Sequence, residues 1–337
     1  MRHCILLSTV LVCTLASCVD PSSAPLGPAP AAFAERDAAP TVQVLVTGLP
    51  SAFGSALGPG AALFVAEGVG DRIWRVDPET GAVTLFASGL PSAADGGVMD
   101  VAFIGRTAYA LVSFVTPEAG GSGIDGIYRV DGPNSFTLVA DIGAFNRANP
   151  PETEFFVSTG VLVAIEPFRG GFLVTDGHLN RVLHVTRDGE ITVFRAFDNI
   201  VPTGLAVRGN DVYMAEAGPV PHLPADGKVV AFGPQSATVS EVAAGIRLAV
   251  DVEFGRGHTL FALSQGFWAG AFEGAPAEPG TGALVQVNGG TLTTVVDGLD
   301  RPISMEIIGN TAYVVTLTGE VCQIDNLTGP PFGKGHQ

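Results

Sequence analysis

The chain has 337 residues and a formal net charge of −16, and only 15% of its residues are charged, against roughly 25% in an ordinary globular protein. With 44 glycines, 24 prolines and no apolar run of period 3.6, the composition argues against an α/β fold and favours sheets joined by tight turns. No stripe of Lys and Arg is present, which argues against nucleic acid as a partner.

The N-terminus has the form of an export signal. Arg2 precedes an apolar run from Ile5 to Ala16, which is too short to span a bilayer of ~30 Å as a helix. The run ends Leu-Ala-Ser-Cys, which resembles the lipobox of bacterial lipoproteins. That resemblance implies a signal peptide at 1–17 and diacylation of Cys18, hence a bacterial chain exported and anchored to a membrane. An ordinary signal cut nearby is the alternative.

The remaining organisation follows from composition. Residues 18–40 are rich in Pro, Ala and Ser and cannot bury a core, so they predict a tether. Residues 41–326 carry the repeats described below, and 327–337 predict a disordered tail. Cys322 is the one cysteine of the repeat region, so with Cys18 lipidated we expect neither an intramolecular disulfide nor a Cys-based metal site.

One strand unit recurs six times. Each copy has a second apolar strand with an aromatic residue or Leu at a fixed place, followed by a Gly-rich break. Several strands in each repeat of ~40–50 residues are typical of a β-propeller. We therefore predict an all-β, six-bladed β-propeller with four-stranded blades. The six register residues are Phe64, Tyr109, Leu173, Tyr213, Phe261 and Tyr313.

The last repeat lacks a fourth strand, and a spare strand stands at the other end of the region. Residues 42–48 resemble the fourth strands of the other repeats but precede every first strand. We predict that they form the outer strand of the sixth blade and close the ring, which removes an open sheet edge. We also expect the chain to be a monomer.

Long connections fall on one rim of the predicted disc. In a propeller, the links between second and third strands share a face with the links between blades. Long loops are usually retained for function, so this face should hold a small-molecule or protein ligand. The long connections are 114–125, 144–160, 217–227 and 265–282.

Acids in the innermost strands are the first ligand-binding candidates. A carboxylate in an apolar strand is costly unless it is paired or hydrated. Two of them stand where other blades have Ala, and two open the first strands of blades 2 and 5 at the channel mouth. The alternative is a structural role, either hydrated or paired with Arg301 or Arg247. The four acids are Asp100, Asp251, Glu253 and Glu306.

Three further carboxylates end second strands at equivalent places in blades 1, 3 and 4. They are Glu67, Asp176 and Glu216. Because Ca²⁺ takes oxygen ligands at ~2.4 Å, the three predict a metal site with Ca²⁺ as the ion. The alternative is turn chemistry, since each acid lies beside or near a glycine.

The apolar loop at 267–272 adds Trp268 as a ligand-binding candidate, which either lines a pocket or folds down on its own blade. No HExxH, GxSxG, GxGxxG or P-loop pattern occurs, so the sequence assigns no catalytic residue.

Over residues 42–325 the chain resembles the ScyD/ScyE family of exported, NHL-like six-bladed propellers. The most specific segment is ADIGAFNRANPPE at 140–152. The resemblance implies a propeller fold and export from the cell, but it implies no enzymatic reaction. A broader likeness to gluconolactonase-type and paraoxonase-type propellers implies Ca²⁺-dependent hydrolysis. The channel-mouth ligands of those proteins are not reproduced at 54–56 and 202–204.

Together these features predict an exported, lipid-anchored propeller that acts as a ligand-binding or accessory protein. The alternative is a Ca²⁺-dependent hydrolase that uses channel-mouth carboxylates. A quinone-cofactor dehydrogenase is a third class, and no residue pattern indicates it.

Overall fold

The computed structural model of the chain describes residues 39–152, 157–234, 236, 238–272 and 274–328. The predicted signal peptide, Cys18, and most of the predicted tether and tail lie outside the described residues. Within those ranges, no helix is long and apolar enough to cross a membrane.

Strands dominate the described part of the chain and form six antiparallel four-stranded sheets. The first twelve strands are β1 (Thr41–Val46), β2 (Ala52–Leu57), β3 (Leu63–Glu67), β4 (Ile73–Val76), β5 (Val83–Ala87), β6 (Gly97–Ile104), β7 (Thr107–Ser113), β8 (Gly126–Gly132), β9 (Ser135–Asp141), β10 (Leu162–Phe168), β11 (Gly171–Asp176) and β12 (Arg181–Val185). The others are β13 (Ile191–Ala196), β14 (Pro202–Arg208), β15 (Asp211–Glu216), β16 (Lys228–Phe232), β17 (Ser240–Ala244), β18 (Ala249–Phe254), β19 (Leu260–Ser264), β20 (Gly282–Asn288), β21 (Thr291–Leu299), β22 (Pro302–Ile308), β23 (Thr311–Thr316) and β24 (Val321–Asp325).

Each blade takes four consecutive strands, except the last. Blades 1 to 5 begin with β2, β6, β10, β14 and β18, and blade 6 contains β22, β23 and β24 with β1 on its outside. The first strands contact one another all the way round, with β2 packed between β6 and β22. They therefore form the innermost ring, and the predicted six-bladed propeller is confirmed.

The ring is closed by β1, which pairs antiparallel with β24 and places Val44 opposite Cys322. The predicted outer strand at 42–48 is confirmed, but it ends at Val46. The reason lies at Gly48, whose φ of +80° is a left-handed conformation that leads the chain out of the sheet.

Apolar packing lies between blades. One buried cluster occupies each of the six boundaries, including the boundary between blade 6 and blade 1 that closure creates. Packing continues past the predicted end of the repeat region, because Leu327 is buried in the cluster between blades 5 and 6. Thr328 is hydrogen-bonded to the side chain of Asn310.

Short helices occur in the connections. The α-helix α1 (Ile142–Ala148) lies in the link between blades 2 and 3, where the sequence indicated a strand end followed by a loop. Its start is fixed by Asp141, whose side chain accepts a hydrogen bond of 2.7 Å from the Ala144 N–H. Single 3₁₀ turns lie at Pro59–Ala61, Pro117–Ala119 and Arg256–His258.

Closure predicts unequal effects at two valines of β1. Val46 is 6% exposed inside the boundary cluster and Val44 is 52% exposed on the outside. We expect Val46→Ala to lower the free energy of unfolding by about 2 kcal/mol, because it leaves a cavity where the ring closes. The matched control Val44→Ala should change it by less than about 0.5 kcal/mol in urea unfolding. Equal effects would contradict closure through β1.

Candidate functional site

The innermost strands carry five carboxylates around one cavity. The six register residues each pair with an inner-strand residue at one level, which is Ala in blades 1, 2 and 4 and Glu in blades 3, 5 and 6. Two aspartates stand two residues earlier, in blades 2 and 5. Together the acids line a cavity of about 260 Å³ on the channel axis. They are Asp100, Glu166, Asp251, Glu253 and Glu306.

The two aspartates join neighbouring blades. Asp100 accepts hydrogen bonds from its neighbour Val101 N–H at 2.8 Å and from Ile165 N–H of blade 3 at 2.9 Å. Asp251 repeats this pattern three blades on, with Val252 N–H at 2.8 Å and Met305 N–H of blade 6 at 2.7 Å. Both lie at a β-bulge inside their strands, not at the start of the strand as the sequence indicated.

The pattern gives the channel an approximate two-fold symmetry. A glycine precedes each aspartate by one blade, and a Cβ at Gly54 would lie 2.3 Å from Asp100 Oδ1. A Cβ at Gly204 would lie 2.2 Å from Asp251 Oδ1. Each site therefore requires glycine.

Burial raises the pKa of all five acids. It raises the pKa of Asp251 to about 7 and of Glu253 to about 8. The pKa values of Asp100, Glu166 and Glu306 lie well above their ordinary range because of burial, and repulsion from the other channel acids adds to it. The residues lining this cavity include no Lys, Arg or His that would oppose the shift.

The arginine pairing considered for these acids does not occur. Arg301 pairs with Asp300, with 2.7 Å between Nε and Oδ1, and the Arg247 guanidinium lies 4.0 Å from the Phe267 ring centroid. Backbone N–H groups, and not arginines, are therefore the hydrogen-bond partners of Asp100, Asp251 and Glu253.

Glu166 is the channel acid that sequence reasoning missed. It pairs with Leu173, the register residue of blade 3, as Glu306 pairs with Tyr313. The signal was present, because Glu166 stands seven residues before its register residue, the same spacing as in blade 6. Pro167 follows directly and made the strand appear to end earlier.

These pKa shifts predict a pH-dependent stability. An acid whose pKa is higher in the folded chain binds protons on folding, so it destabilises the fold as pH rises above its ordinary value near 4.5. For Glu253 the loss should continue up to about pH 8. We expect Glu253→Gln to raise the free energy of unfolding at pH 8.5 by about 1 kcal/mol or more, with a smaller effect at pH 4.5. The exposed control Glu79→Gln should show no such difference, and a pH-independent effect of Glu253→Gln would contradict the shift.

A second cavity of about 430 Å³ lies on the face with the long loops. It shares four lining residues with the acid cavity where the two spaces meet, and all four are apolar; we call these four residues the apolar ring. The shared residues are Phe53, Val163, Val250 and Ile303. We call this second space the loop-face cavity.

The walls of the loop-face cavity come from the connections of blades 3, 4, 5 and 6. Apolar wall residues include Ala217, Leu248 and Leu317. Polar side chains interrupt them at a few places, among them Asn180 and Gln265. The cavity lies where the sequence predicted a ligand, on the long-loop face around the channel.

The three carboxylates at the ends of second strands are equivalent in register, as predicted. Each is buried in its own blade. Glu67 lies 2.8 Å from Arg72 Nε, and burial raises its pKa. Burial also raises the pKa of Glu216 to about 7. Among the described residues no group of three His, Cys, Asp or Glu side chains is arranged to hold a metal, and a metal at these positions stays a prediction.

Asp176 is part of a buried network with α1. Its Oδ2 accepts from Asn146 Nδ2 at 2.6 Å, and its Oδ1 accepts from Leu179 N–H at 3.1 Å. Arg181 donates to Asn146 Oδ1 at 2.8 Å. Burial raises the pKa of Asp176 to about 6, although Arg181 opposes the shift. The segment most specific to the sequence resemblance thus holds the turn that lines one side of the loop-face cavity.

Trp268 is half-buried and folds inward. Its ring meets His222 of blade 4 edge-on, with centroids 5.3 Å apart, and it packs on Ala217 and Leu248. Phe267 and Phe272 of the same loop remain exposed, at 47% and 65%. The loop therefore covers the boundary of blades 4 and 5 beside the cavity.

Comparisons with known proteins show the fold. No protein-family model matches the chain, and no curated protein matches it significantly. A gluconolactonase from Xanthomonas campestris is similar, with 14% identity, a TM-score of 0.60 and coverage of 88% of this chain and 93% of its own. The PQQ-bound aldose sugar dehydrogenase from Streptomyces coelicolor has 15% identity, a TM-score of 0.57 and coverage of 85% and 98%. Virginiamycin B lyase from Staphylococcus aureus has 13% identity, a TM-score of 0.53 and the same coverage. At these identities the likeness concerns the fold alone.

Proposed function

We propose that this chain is an exported, lipid-anchored propeller that binds a small molecule in its loop-face cavity. The observation that carries the proposal is the cavity itself, which lies at the end of the channel and has the size of a small-molecule site. The resemblance to exported propellers of the ScyD/ScyE family and the lipobox ending at Cys18 support the setting at a membrane.

The lining favours binding over catalysis. Its walls are mainly apolar, with a few polar side chains that could orient a ligand, as in most ligand sites. Its described residues include no carboxylate, Lys, Arg or Cys. They do include His178 and His222, but the one hydroxyl of the lining, Thr203 Oγ1, is hydrogen-bonded to the Ala215 and Ala249 carbonyls and not to a histidine. A binding or accessory role therefore fits this site better than turnover.

Blocking the cavity from its exposed edge tests this proposal. Val220 lines the cavity and is 45% exposed, so Val220→Trp can fill the entrance without disturbing the core. We expect ligands found by a thermal-shift screen of small aromatic molecules to lose at least about tenfold in affinity, which is about 1.4 kcal/mol. Leu223→Trp is the matched control, because Leu223 is 53% exposed and lies outside the lining. Hits that bind both variants as they bind the parent chain would contradict the proposal.

The second candidate is a Ca²⁺-dependent hydrolase acting through the channel acids. Five carboxylates without a lining cation favour it, since Ca²⁺ prefers such oxygens. Their arrangement does not, because Asp100 and Asp251 already use both oxygens on backbone N–H groups. Nor do the described residues contain a metal-binding group of three such side chains. We therefore derive no hydrolytic step from these acids.

Calorimetry separates the two candidates. We expect no saturable heat of binding and no change in melting temperature when excess Ca²⁺ is added at pH 7.5. Mg²⁺ at the same concentration is the control for ionic strength. Saturable Ca²⁺ binding that disappears in Glu306→Gln, together with hydrolysis of a lactone, would establish the hydrolase instead.

A further inference from the structure

We propose that the loop-face cavity selects an uncharged, apolar molecule that carries a carbonyl oxygen, and that this oxygen accepts a hydrogen bond from the side-chain amide of Gln265. The inference rests on the proposed function and adds the chemical class of the ligand. It follows from one buried amide donor and from the charge of the walls.

Gln265 directly follows β19 and lines the cavity while only 4% exposed. Its backbone N–H donates to Leu248 O at 3.0 Å, and its side-chain Oε1 accepts from Ala277 N–H at 2.9 Å. A backbone N–H can only donate, so this second bond fixes which end of the amide is oxygen. Nε2 is therefore the end of the amide that remains available to donate a hydrogen bond.

Nε2 of Gln265 has no acceptor among the described residues, since its only side-chain hydrogen bond uses Oε1. Nε2 is not one of the fully enclosed side-chain atoms that lack a partner, so it is open to the cavity, where water or a ligand has to accept its hydrogen bond. Because Gln265 lines the loop-face cavity, an acceptor located there can satisfy this amide. The group it requires is an oxygen acceptor such as a carbonyl.

Asn180 of blade 3 is a second buried side-chain amide whose oxygen accepts hydrogen bonds from the backbone. Its Oδ1 accepts from Ile200 N–H and Val201 N–H, both at 2.9 Å, which fixes its amide in the same way. Its Nδ2 has one protein acceptor, the His178 carbonyl, at the long distance of 3.4 Å. Both buried amides of the cavity thus accept backbone N–H groups through their oxygens, and Asn180 Nδ2 has one long bond while Gln265 Nε2 has none among the described residues.

The walls argue for a neutral ligand. No carboxylate, ammonium or guanidinium group lies among the lining residues. The lining has two histidines, His178 and His222, and His222 Nδ1 already lies 2.7 Å from Gly218 O. A charged ligand would therefore lose hydration and find few partners in exchange. The channel acids beneath the apolar ring, and the net charge of −16, act further against an anion.

Four naphthalene probes of nearly equal size test the class. 2-Acetylnaphthalene is neutral and has a carbonyl, 2-isopropenylnaphthalene lacks the oxygen, 2-naphthoate is an anion and 2-naphthylmethylammonium is a cation. Affinities are measured by calorimetry on the folded chain at pH 7.5. We expect the ketone to bind best, about fivefold to tenfold tighter than the alkene, as one hydrogen bond contributes.

Two variants identify the donor. Gln265→Met and Gln265→Leu each remove the amide donor at every pH and differ in the shape of the apolar side chain that replaces it. We expect each to bind ketone and alkene equally, with the alkene affinity within about twofold of the parent chain. Gln43→Met is the matched control on the exposed face of β1 and should keep the preference for the ketone. Two variants are used so that a folding defect in one, seen by circular dichroism, leaves the other decisive.

The outcomes are distinct. A parent chain that binds ketone and alkene equally, or a preference for the ketone that survives both variants, would overturn the role of Gln265 while leaving the binding function. Tightest binding of the cation or the anion would overturn the neutral class. Failure of all four probes, in a chain that still binds other ligands sensitive to Val220→Trp, would overturn the inference alone. Failure of every ligand would remove the proposed function as well.

Discussion

The pairing of β1 with β24 is the interaction on which the other features depend. It supplies the missing outer strand of blade 6 from the opposite end of the repeat region. Because apolar packing lies between blades and not within them, the boundary of blades 6 and 1 exists only when the ring is closed. Closure therefore brings six first strands around one axis, and it is this ring that gives the molecule a channel and two distinct faces.

The channel contains an acidic cavity, and a mainly apolar cavity lies beside it on the loop face. Five carboxylates surround the inner cavity, and the shift of their pKa values follows from their enclosure among apolar strands. Asp100 and Asp251 also connect neighbouring blades by accepting hydrogen bonds from backbone N–H groups. Two of the five carboxylates therefore have a structural role. Beyond the apolar ring, the loop-face cavity offers apolar walls and amide donors. The proposed ligand binding and the stability of the ring thus depend on separate groups of residues.

Much of the fold could be read from the sequence because blades repeat. The register residues located the second strand of each blade, and the spare strand at 42–48 indicated that the ring is closed by an N-terminal strand. Exceptions to the repeat were harder. Pro167 hid Glu166 by appearing to end its strand, and α1 was hidden because its cap, Asp141, closes a run with strand character. The role of Gln265 was not predictable from the sequence. The orientation of its side-chain amide depends on a hydrogen bond from Ala277 N–H, which a long loop places beside it.

The central claim is that the loop-face cavity holds a small molecule. A high-resolution crystal structure of the protein isolated from its native cells tests it most directly, because a bound molecule would be visible there. The account predicts continuous density for a non-water molecule whose oxygen lies ~3 Å from Gln265 Nε2. A cavity that holds only ordered water, or that is closed by the loops of blades 4 and 5, would contradict it.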